Sequence, residues 1–452
     1  MKNFSLQPNP FALKALPFWK IGFFLGTAFF GQWFISDLIH FPGGGVGLLI
    51  VGGGVLFLLR PSKPLFETPE TVQGWIKRCH EVLGHFEVLE GKENFQNLNK
   101  KRSIDLQEII ARSEPQTISF ASTKGVSLPE EDQLLSALSI SSPISLYCSP
   151  SLPLHDNSWS FPQVLINKDL LVYFLPLPLR AVDMIWLENI PESQPSWVMV
   201  SWEDSDTWNE QLNALKAQLP ERWNGRILRW NGSAEDIKEV LLPVKRSLAQ
   251  PRKNIDLTRQ RMLSRLHSSW QSELEKLRRN KFQTIQNRSQ WIVAGAVFAS
   301  PVPSGDLLAL AAVNGLMVKE MAEIWSCDMR PELLQVVAKK LATAAIAEGV
   351  VEWSGQALLG VAKLDGSGWF AAGTMQALSA AYLTRVVGRS MADWMALNNG
   401  VSEPDLALLN QQVPSLISNA VEKERIDWSG FLKQSKSWID NQTKDSKLGL
   451  SS

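Results

Sequence analysis

The residues best placed to do chemistry lie in a short polar stretch behind an apolar run. The run Thr117–Ala121 predicts a strand, Ser122-Thr123-Lys124-Gly125 follows it directly, and residues 130–138 predict a helix. A strand, a GxxxxGK[ST] loop and a helix form a phosphate-binding loop, because backbone amides surround the phosphates, the lysine contacts them and the hydroxyl holds Mg²⁺. Position alone therefore makes this stretch a candidate nucleotide site.

The loop resembles that of the small bacterial GTPases of the Era type, whose version often reads GTKGVGKT[ST]L. The shared part is Thr123-Lys124-Gly125-Val126. The resemblance implies a GTPase-like α/β domain, but Ser127 and Leu128 stand at the glycine and lysine positions and Pro129 at the hydroxyl position. We therefore expect a pseudo-GTPase with no catalytic residue, no cofactor and no metal, in which Ser122 to Gly125 form a degenerate loop. A coincidental strand, loop and helix is the competing interpretation.

The other nucleotide-binding motifs of that family are degenerate as well. Asn167-Lys168-Asp169 has the start of the guanine-reading NKxD motif but precedes a strand, whereas the motif follows one. The chain reads Trp202-Glu203-Asp204 where that motif belongs, and no DxxG precedes Leu170. Ser233-Ala234 is at most a remnant of the base-contacting loop. The resemblance thus implies a retained strand order without contacts to phosphate, magnesium or base.

Other catalytic chemistry has little support in the sequence. The five histidines show no HExxH or paired-ligand spacing, no GxSxG occurs, and the serine-rich residues 139–151 predict a loop. Cys79, Cys148 and Cys327 are odd in number and far apart, which excludes a disulfide framework and indicates a reducing compartment. The 45 basic and 45 acidic side chains give zero net charge, which argues against binding nucleic acid with the whole surface.

Four apolar runs, separated by helical stretches, must position the loop. They lie at residues 117–121, 170–175, 197–200 and 226–230. This alternation predicts a small, doubly wound, mostly parallel α/β sheet. A helix predicted from Pro69 to Leu83, ended by Gly84, belongs to a connector before this domain.

Two apolar runs near the N-terminus predict a transmembrane hairpin. Residues 21–41 contain no charge before Asp37, and residues 43–59 contain no polar side chain. A helix of about 20 residues crosses the bilayer core, and both runs reach or approach that length. A signal peptide and a buried hairpin in a soluble domain are the alternatives. Lysines and arginines flank the hairpin but not its turn, which predicts that both termini are cytoplasmic.

A basic segment follows the α/β domain. Residues 245–288 contain twelve basic and three acidic side chains, and leucines at steps of three and four predict one amphipathic helix over 245–290. We expect its basic face to contact anionic lipid headgroups, with a solvated helix packed on the α/β domain as the alternative. The candidate membrane contacts are Arg259, Arg261, Arg278 and Arg279. Few aromatics lie on the charged side, which disfavours a nucleic-acid role.

A second resemblance lies in the C-terminal third. The run from Pro301 through Pro303 to Asp306, followed by Met321-Ala322-Glu323-Ile324-Trp325, resembles the PxPxxD signature of the YcjF-type domain of unknown function. That domain occurs in bacteria behind Era-type GTPase domains, so the resemblance implies a membrane-associated helical domain and assigns no catalytic residue. The two prolines break a helix and Asp306 can cap the next, so all three are structural. Whether residues 366–384 insert in the bilayer is left open.

Together these features predict an α/β domain and an all-α domain behind a two-helix transmembrane hairpin. The predicted segments are the hairpin 1–63, a connector 64–115, the GTPase-like domain 116–244, a neck helix 245–290, the YcjF-type domain 291–400 and an amphipathic tail 401–452. We expect a bacterial, membrane-anchored, non-catalytic scaffold, with a cyanobacterial source as one candidate. Its expected partners are the lipid bilayer and an unidentified protein, or a second copy of the chain. The alternative is an NTP-binding protein with an unconventional loop; a small transporter is disfavoured because two spans provide no midplane site.

Overall fold

A computed structural model describes residues 68–449 apart from gaps at 113, 141, 156–158, 202–207, 300–302, 328, 366–371 and 399–405. The hairpin predicted over residues 1–63 lies outside the described residues, and so does Pro301. Within the described part of the chain, no helix combines the length and hydrophobicity that crossing a membrane requires.

Five parallel strands form one sheet in the order β2-β1-β3-β4-β5. They are β1 Gln116–Ser122, β2 Ile144–Cys148, β3 Leu170–Leu175, β4 Ser196–Ser201 and β5 Ile227–Trp230. Both β1 and β3 are buried along their whole length. A parallel sheet is covered on both faces, which is why the β3 sequence LLVYFL contains no charged or amide side chain. The predicted parallel α/β sheet is therefore confirmed.

Helices cover both faces of this sheet. The first face carries α3 Glu131–Leu138 and, from the end of the domain, α7 Asp236–Val240 and α8 Leu242–Leu248, packed on Phe120 and Val172. The opposite face carries α4 Gln163–Ile166, α5 Ala181–Glu188 and α6 Trp208–Gln218, packed on Leu171 and Tyr173. The domain is therefore doubly wound.

Strand β2 corrects the prediction of a loop over residues 139–151. It lies at the edge of the sheet and pairs with β1 alone, with Gln116 opposite Ile144. Its five residues are half-buried or exposed, and none is fully buried. An edge strand needs no continuous apolar run, so composition gave no sign of it.

Within the described residues two helices precede the sheet, α1 Val72–Glu90 and α2 Lys92–Ile110. The Thr71 hydroxyl caps α1 by accepting a hydrogen bond from the Gly74 amide at 3.1 Å. The prediction that Gly84 ends the first helix is wrong. A glycine costs a helix interior only about 1 kcal/mol, and the buried Phe86 and Leu89 continue the packed face beyond it.

A single helix of 49 residues, α9 Pro251–Ala299, runs through both domains. At 1.5 Å per residue it is roughly 73 Å long. It begins at Pro251 instead of residue 245, because proline is accepted only in the first turn of a helix, and it continues past residue 290. Its beginning contacts the sheet, through Asn254 and Thr258, and its remainder packs against α1 and the C-terminal helices.

Among the described residues six further helices follow α9, and the first and fourth of them pack directly against it. They are α10 Pro303–Trp325, α11 Pro331–Ala347, α12 Val350–Asp365, α13 Ala372–Leu397, α14 Leu406–Ile426 and α15 Trp428–Gly449. Small residues permit close approach between them, since a Cβ on Gly388 would lie 3.2 Å from the Met317 Cε. Because α10 begins at Pro303, Asp306 lies inside its first turn and does not occupy the predicted cap position.

Candidate functional site

The chain adds β2 on one side of β1 and β3 to β5 on the other side, so the strand order reverses between β1 and β3. In doubly wound sheets, ligands bind beyond the carboxyl ends of the strands at such a reversal. The degenerate loop after β1 and the segment after β3 both lie there. We call this region the carboxyl edge and take it as the candidate site.

Backbone contacts within the protein occupy part of the loop after β1. Thr123 forms a parallel bridge with Leu152, and the Lys124 amide donates to the Leu152 carbonyl at 3.3 Å. In return the Leu152 amide donates to the Ser122 carbonyl at 2.8 Å. The segment after β2 therefore lies along this loop and uses an amide that a phosphate-binding loop would direct at its ligand.

The charges around this loop do not favour a phosphate either. Lys124 is exposed, as is Gly125, which has φ 93°. Glu130 precedes helix α3, and Glu131 and Asp132 lie in its first turn. Acidic side chains at this place repel the charge that a nucleotide would bring.

A buried aspartate lies at the centre of the carboxyl edge. Asp183, on α5, is completely buried. Its Oδ1 accepts hydrogen bonds from the Tyr173 hydroxyl at 2.7 Å and the Thr123 hydroxyl at 2.8 Å. Its Oδ2 accepts one from Arg180 Nε at 2.7 Å, and Arg180 also contacts Thr123 Oγ1. We call Thr123, Tyr173, Arg180 and Asp183 the Asp183 cluster.

The Asp183 cluster contains one ion pair and two hydroxyl groups, and it shows no sign of a reactive group. One guanidinium pairs with one carboxylate, and two hydroxyls complete the contacts. Burial and the neighbouring Asp183 raise the pKa of Tyr173, so that its hydroxyl stays a donor at physiological pH. Every one of these donors is already used within the cluster, because each is bonded to the Asp183 carboxylate. We find here neither an activated nucleophile nor a base directed at open space.

The described residues contain no group of three or more histidine, cysteine or acidic side chains that could hold a metal ion. No disulfide joins the cysteines of the described residues: Cys79 is buried, Cys148 exposed and Cys327 partly exposed. Burial raises the pKa of the Cys79 thiol to about 12, and its Sγ donates weakly to the Leu263 carbonyl. This thiol is therefore part of the packing between α1 and α9.

The suggested remnant of a base-contacting loop has a local structural role. The Asp236 amide, at the start of α7, donates to the Ser233 hydroxyl at 3.2 Å. The Ser233 amide donates to Asn231 Oδ1 at 2.8 Å, and the Asn231 amide donates to Asp236 Oδ2. These reciprocal bonds satisfy amides at a helix start, as capping residues do.

The NKxD-like tripeptide lies at the opposite edge of the sheet, where the strands begin. Asp169 is completely buried and accepts two hydrogen bonds from Arg112, at 2.9 and 2.7 Å. It also accepts from the Thr117 amide at 2.8 Å and from the Thr258 hydroxyl at 2.7 Å. Asp169 thus joins β1, α9 and the segment after α2, and its place at the start of β3 agrees with the rejection of this tripeptide as a guanine-reading motif.

Two of the four predicted membrane contacts are buried in the protein. Arg261 is 6% exposed and donates to the carbonyls of Lys168 at 2.8 Å and Ser193 at 2.9 Å. Burial lowers its pKa to about 10. Arg278 is 1% exposed. Side chains in these places cannot reach a lipid headgroup, so the prediction is corrected for both.

The other two predicted contacts are partly exposed and already paired. Arg259 donates to the Arg112 carbonyl at 3.0 Å and pairs with Asp256 at 3.4 Å. Arg279 pairs with Glu275 and with Asp393, both at 2.6 Å. The freely exposed cations on α9 are different residues, among them Lys276 and Lys281.

Sequence reasoning missed two buried ion-pair clusters, one at the carboxyl edge and one in the helical domain. Arg180 and Asp183 stand three residues apart behind a buried strand, which is a signal that could have been read. In the helical domain, the completely buried Glu424 pairs with Arg385 at 2.6 Å and with Arg389 at 2.5 Å. The spacing of the two arginines puts them on one helix face, but their partner lies on another helix, which the sequence gives no way to identify.

Comparison with known proteins yields one match, in the helical domain. No curated protein and no solved structure matches the chain. The matched segment begins at Arg261, where α9 contacts the sheet, and ends in α14. Residues 261–422 are similar to the family described as "Domain of unknown function (DUF697)", and the C-terminal part of the chain is thereby a domain of unknown function.

Proposed function

We propose that this protein is a membrane-anchored, non-catalytic scaffold, in which an inactive Era-like GTPase domain and a YcjF-type helical domain make protein contacts at the cytoplasmic membrane face. The anchor is the hairpin of residues 1–63, and both termini are cytoplasmic. The partners are the lipid bilayer and a protein still to be identified. The residues quoted above for the two resemblances support the domain assignments.

One observation carries the non-catalytic part of the proposal: the carboxyl edge is filled by the Asp183 cluster. A phosphate arriving there meets a buried carboxylate, and the nearby guanidinium already pairs with that carboxylate at 2.7 Å. Like charges this close repel each other strongly in a protein interior. The loop also has Leu128 at the position of the phosphate-binding lysine.

The energetic consequence is a nucleotide affinity too weak for use. Each hydrogen bond to a charged phosphate contributes about 1.5–3 kcal/mol. Losing three of them weakens a micromolar site by roughly a thousandfold or more. The α/β domain then acts as a rigid scaffold, and other proteins bind to its surface.

Calorimetric titration of the purified full chain with GTP and ATP in the presence of Mg²⁺ tests this proposal. We expect no saturable binding below about millimolar nucleotide and no hydrolysis above buffer. A Lys124→Ala variant is the matched control. A micromolar, Mg²⁺-dependent titration in the wild type that disappears in Lys124→Ala would contradict the proposal and favour an NTP-binding protein with an unconventional loop.

A further inference from the structure

We propose that Thr123, Tyr173 and Arg180 form an oxyanion-binding site that the chain fills with its own Asp183 carboxylate, and that this site accepts a phosphate-class ion once the carboxylate is removed. The inference deepens the proposed function and rests on it in one respect, that no nucleotide phosphate uses this edge in the wild-type chain.

The first argument is the convergence of donors. Three donors lie at 2.7–2.8 Å from the two Asp183 oxygens: the Tyr173 hydroxyl, the Thr123 hydroxyl and Arg180 Nε. A fourth, Arg180 Nη2, lies 3.4 Å from Oδ1. Hydroxyls and a guanidinium fork around two oxygens are what proteins use to bind carboxylate and phosphate ions.

The second argument is that these donors do not depend on Asp183 for their positions. Thr123 follows β1 and Tyr173 lies in β3, and the two strands pair directly, with Ala121 opposite Tyr173. Arg180 is also held by donating to the Lys124 carbonyl at 3.3 Å. Shortening residue 183 to alanine therefore leaves three donors around an empty space with an uncompensated cation.

The third argument is access. Thr123, Tyr173 and Asp183 are buried, but the Arg180 side chain is 34% exposed. An ion from solvent can reach the guanidinium and then the hydroxyls behind it.

The experiment uses the full chain in detergent and compares wild type, Asp183→Ala and Asp132→Ala. Asp132 is exposed at the start of α3, so its loss changes the net charge equally and opens no site. Inorganic phosphate and sulfate are the probes, with sodium chloride at equal ionic strength as reference. The measurements are calorimetric binding and the shift of the unfolding temperature, which rises when an ion binds only the folded state.

We expect phosphate to bind Asp183→Ala at least about tenfold more tightly than wild type or Asp132→Ala. Adding Arg180→Gln to Asp183→Ala should abolish that gain. Equal phosphate binding in all variants, or a gain that survives the loss of Arg180, would overturn the inference.

A variant that fails to fold remains informative. If Asp183→Ala is unfolded in chloride, refolding in phosphate or sulfate should recover it, because the ion replaces the missing carboxylate. No recovery with either ion would count against the inference. Nucleotide binding by the wild type would overturn the proposed function alone, since the phosphate test in Asp183→Ala has a separate readout.

Discussion

At the residue scale, two buried aspartates stabilise opposite edges of one sheet. Asp183 holds the carboxyl edge, and Asp169 joins the other edge to α9 and to the segment after α2. Both side chains are completely buried, and each is paired with an arginine. Removing one partner of such a pair is costly because the other charge stays buried alone.

Asp169→Ala should therefore lower the free energy of unfolding by about 3–5 kcal/mol, since Arg112 would lose both its charge-assisted bonds. Asp256→Ala is the control, because Asp256 pairs with Arg259 at the surface and should change stability by under about 1 kcal/mol. Urea unfolding of both variants measures the difference. Equal effects would mean that Asp169 does not hold the domains together.

Cys79 should resist alkylation at pH 8, because its pKa is raised to about 12 and the thiolate is the reactive form. We expect iodoacetamide to label Cys79 at least about 100-fold more slowly than exposed Cys148, and at a similar rate in urea. The unfolded thiol ionises first as pH rises, so Cys79 should make the free energy of unfolding fall between about pH 9 and pH 12. Fast native labelling would show that α1 separates from α9.

At the element scale, α9 presents two kinds of basic side chain. Arg261 and Arg278 are directed into the protein, whereas Lys276 and Lys281 are exposed. The buried arginines serve packing, as the Arg261 bonds to sheet-domain carbonyls show. Any electrostatic contact between this helix and anionic lipid must use the exposed set.

Replacing Lys276 and Lys281 by Gln should weaken binding to anionic vesicles at low salt. Each lysine near the surface contributes about 1 kcal/mol, so the pair should account for roughly thirtyfold. Vesicle sedimentation of a chain lacking residues 1–67 measures this, with Arg261→Gln as the comparison that lowers stability and leaves lipid affinity unchanged. If Arg261→Gln weakened vesicle binding and the two lysine replacements did not, the exposed face of α9 would be assigned to protein contacts.

At the scale of the whole molecule, α9 relates the proposed anchor to both domains. Gln260 donates to the Glu70 carbonyl at 3.0 Å, so the described chain begins beside the sheet end of α9. Residues 64–67 can span at most about 14 Å. If residues 1–63 form the proposed hairpin, the α/β domain lies close to the bilayer.

Deleting residues 1–60 should convert a carbonate-resistant membrane protein into one that carbonate extracts. The physical reason is that the proposed transmembrane anchor consists of the two apolar runs of that segment. Fractionation of native membranes, with immunodetection of both forms, makes the comparison. Continued carbonate resistance of the deletion variant would mean that other segments insert in the bilayer.

The sequence alone determined the features that depend on local pattern. The apolar run of β3 and the helical periodicity of α9 follow from neighbouring residues, and so does the absence of a GxxxxGK[ST] motif after β1, where Leu128 and Pro129 stand. The tertiary structure decided the rest. Edge strand β2 exists because β1 pairs with it, Arg261 is buried because α9 crosses the sheet edge, and Asp183 meets Thr123 because β1 and β3 are adjacent. Burial and ion pairing are long-range properties, because they depend on which distant elements pack together, and residue type and spacing do not contain that information.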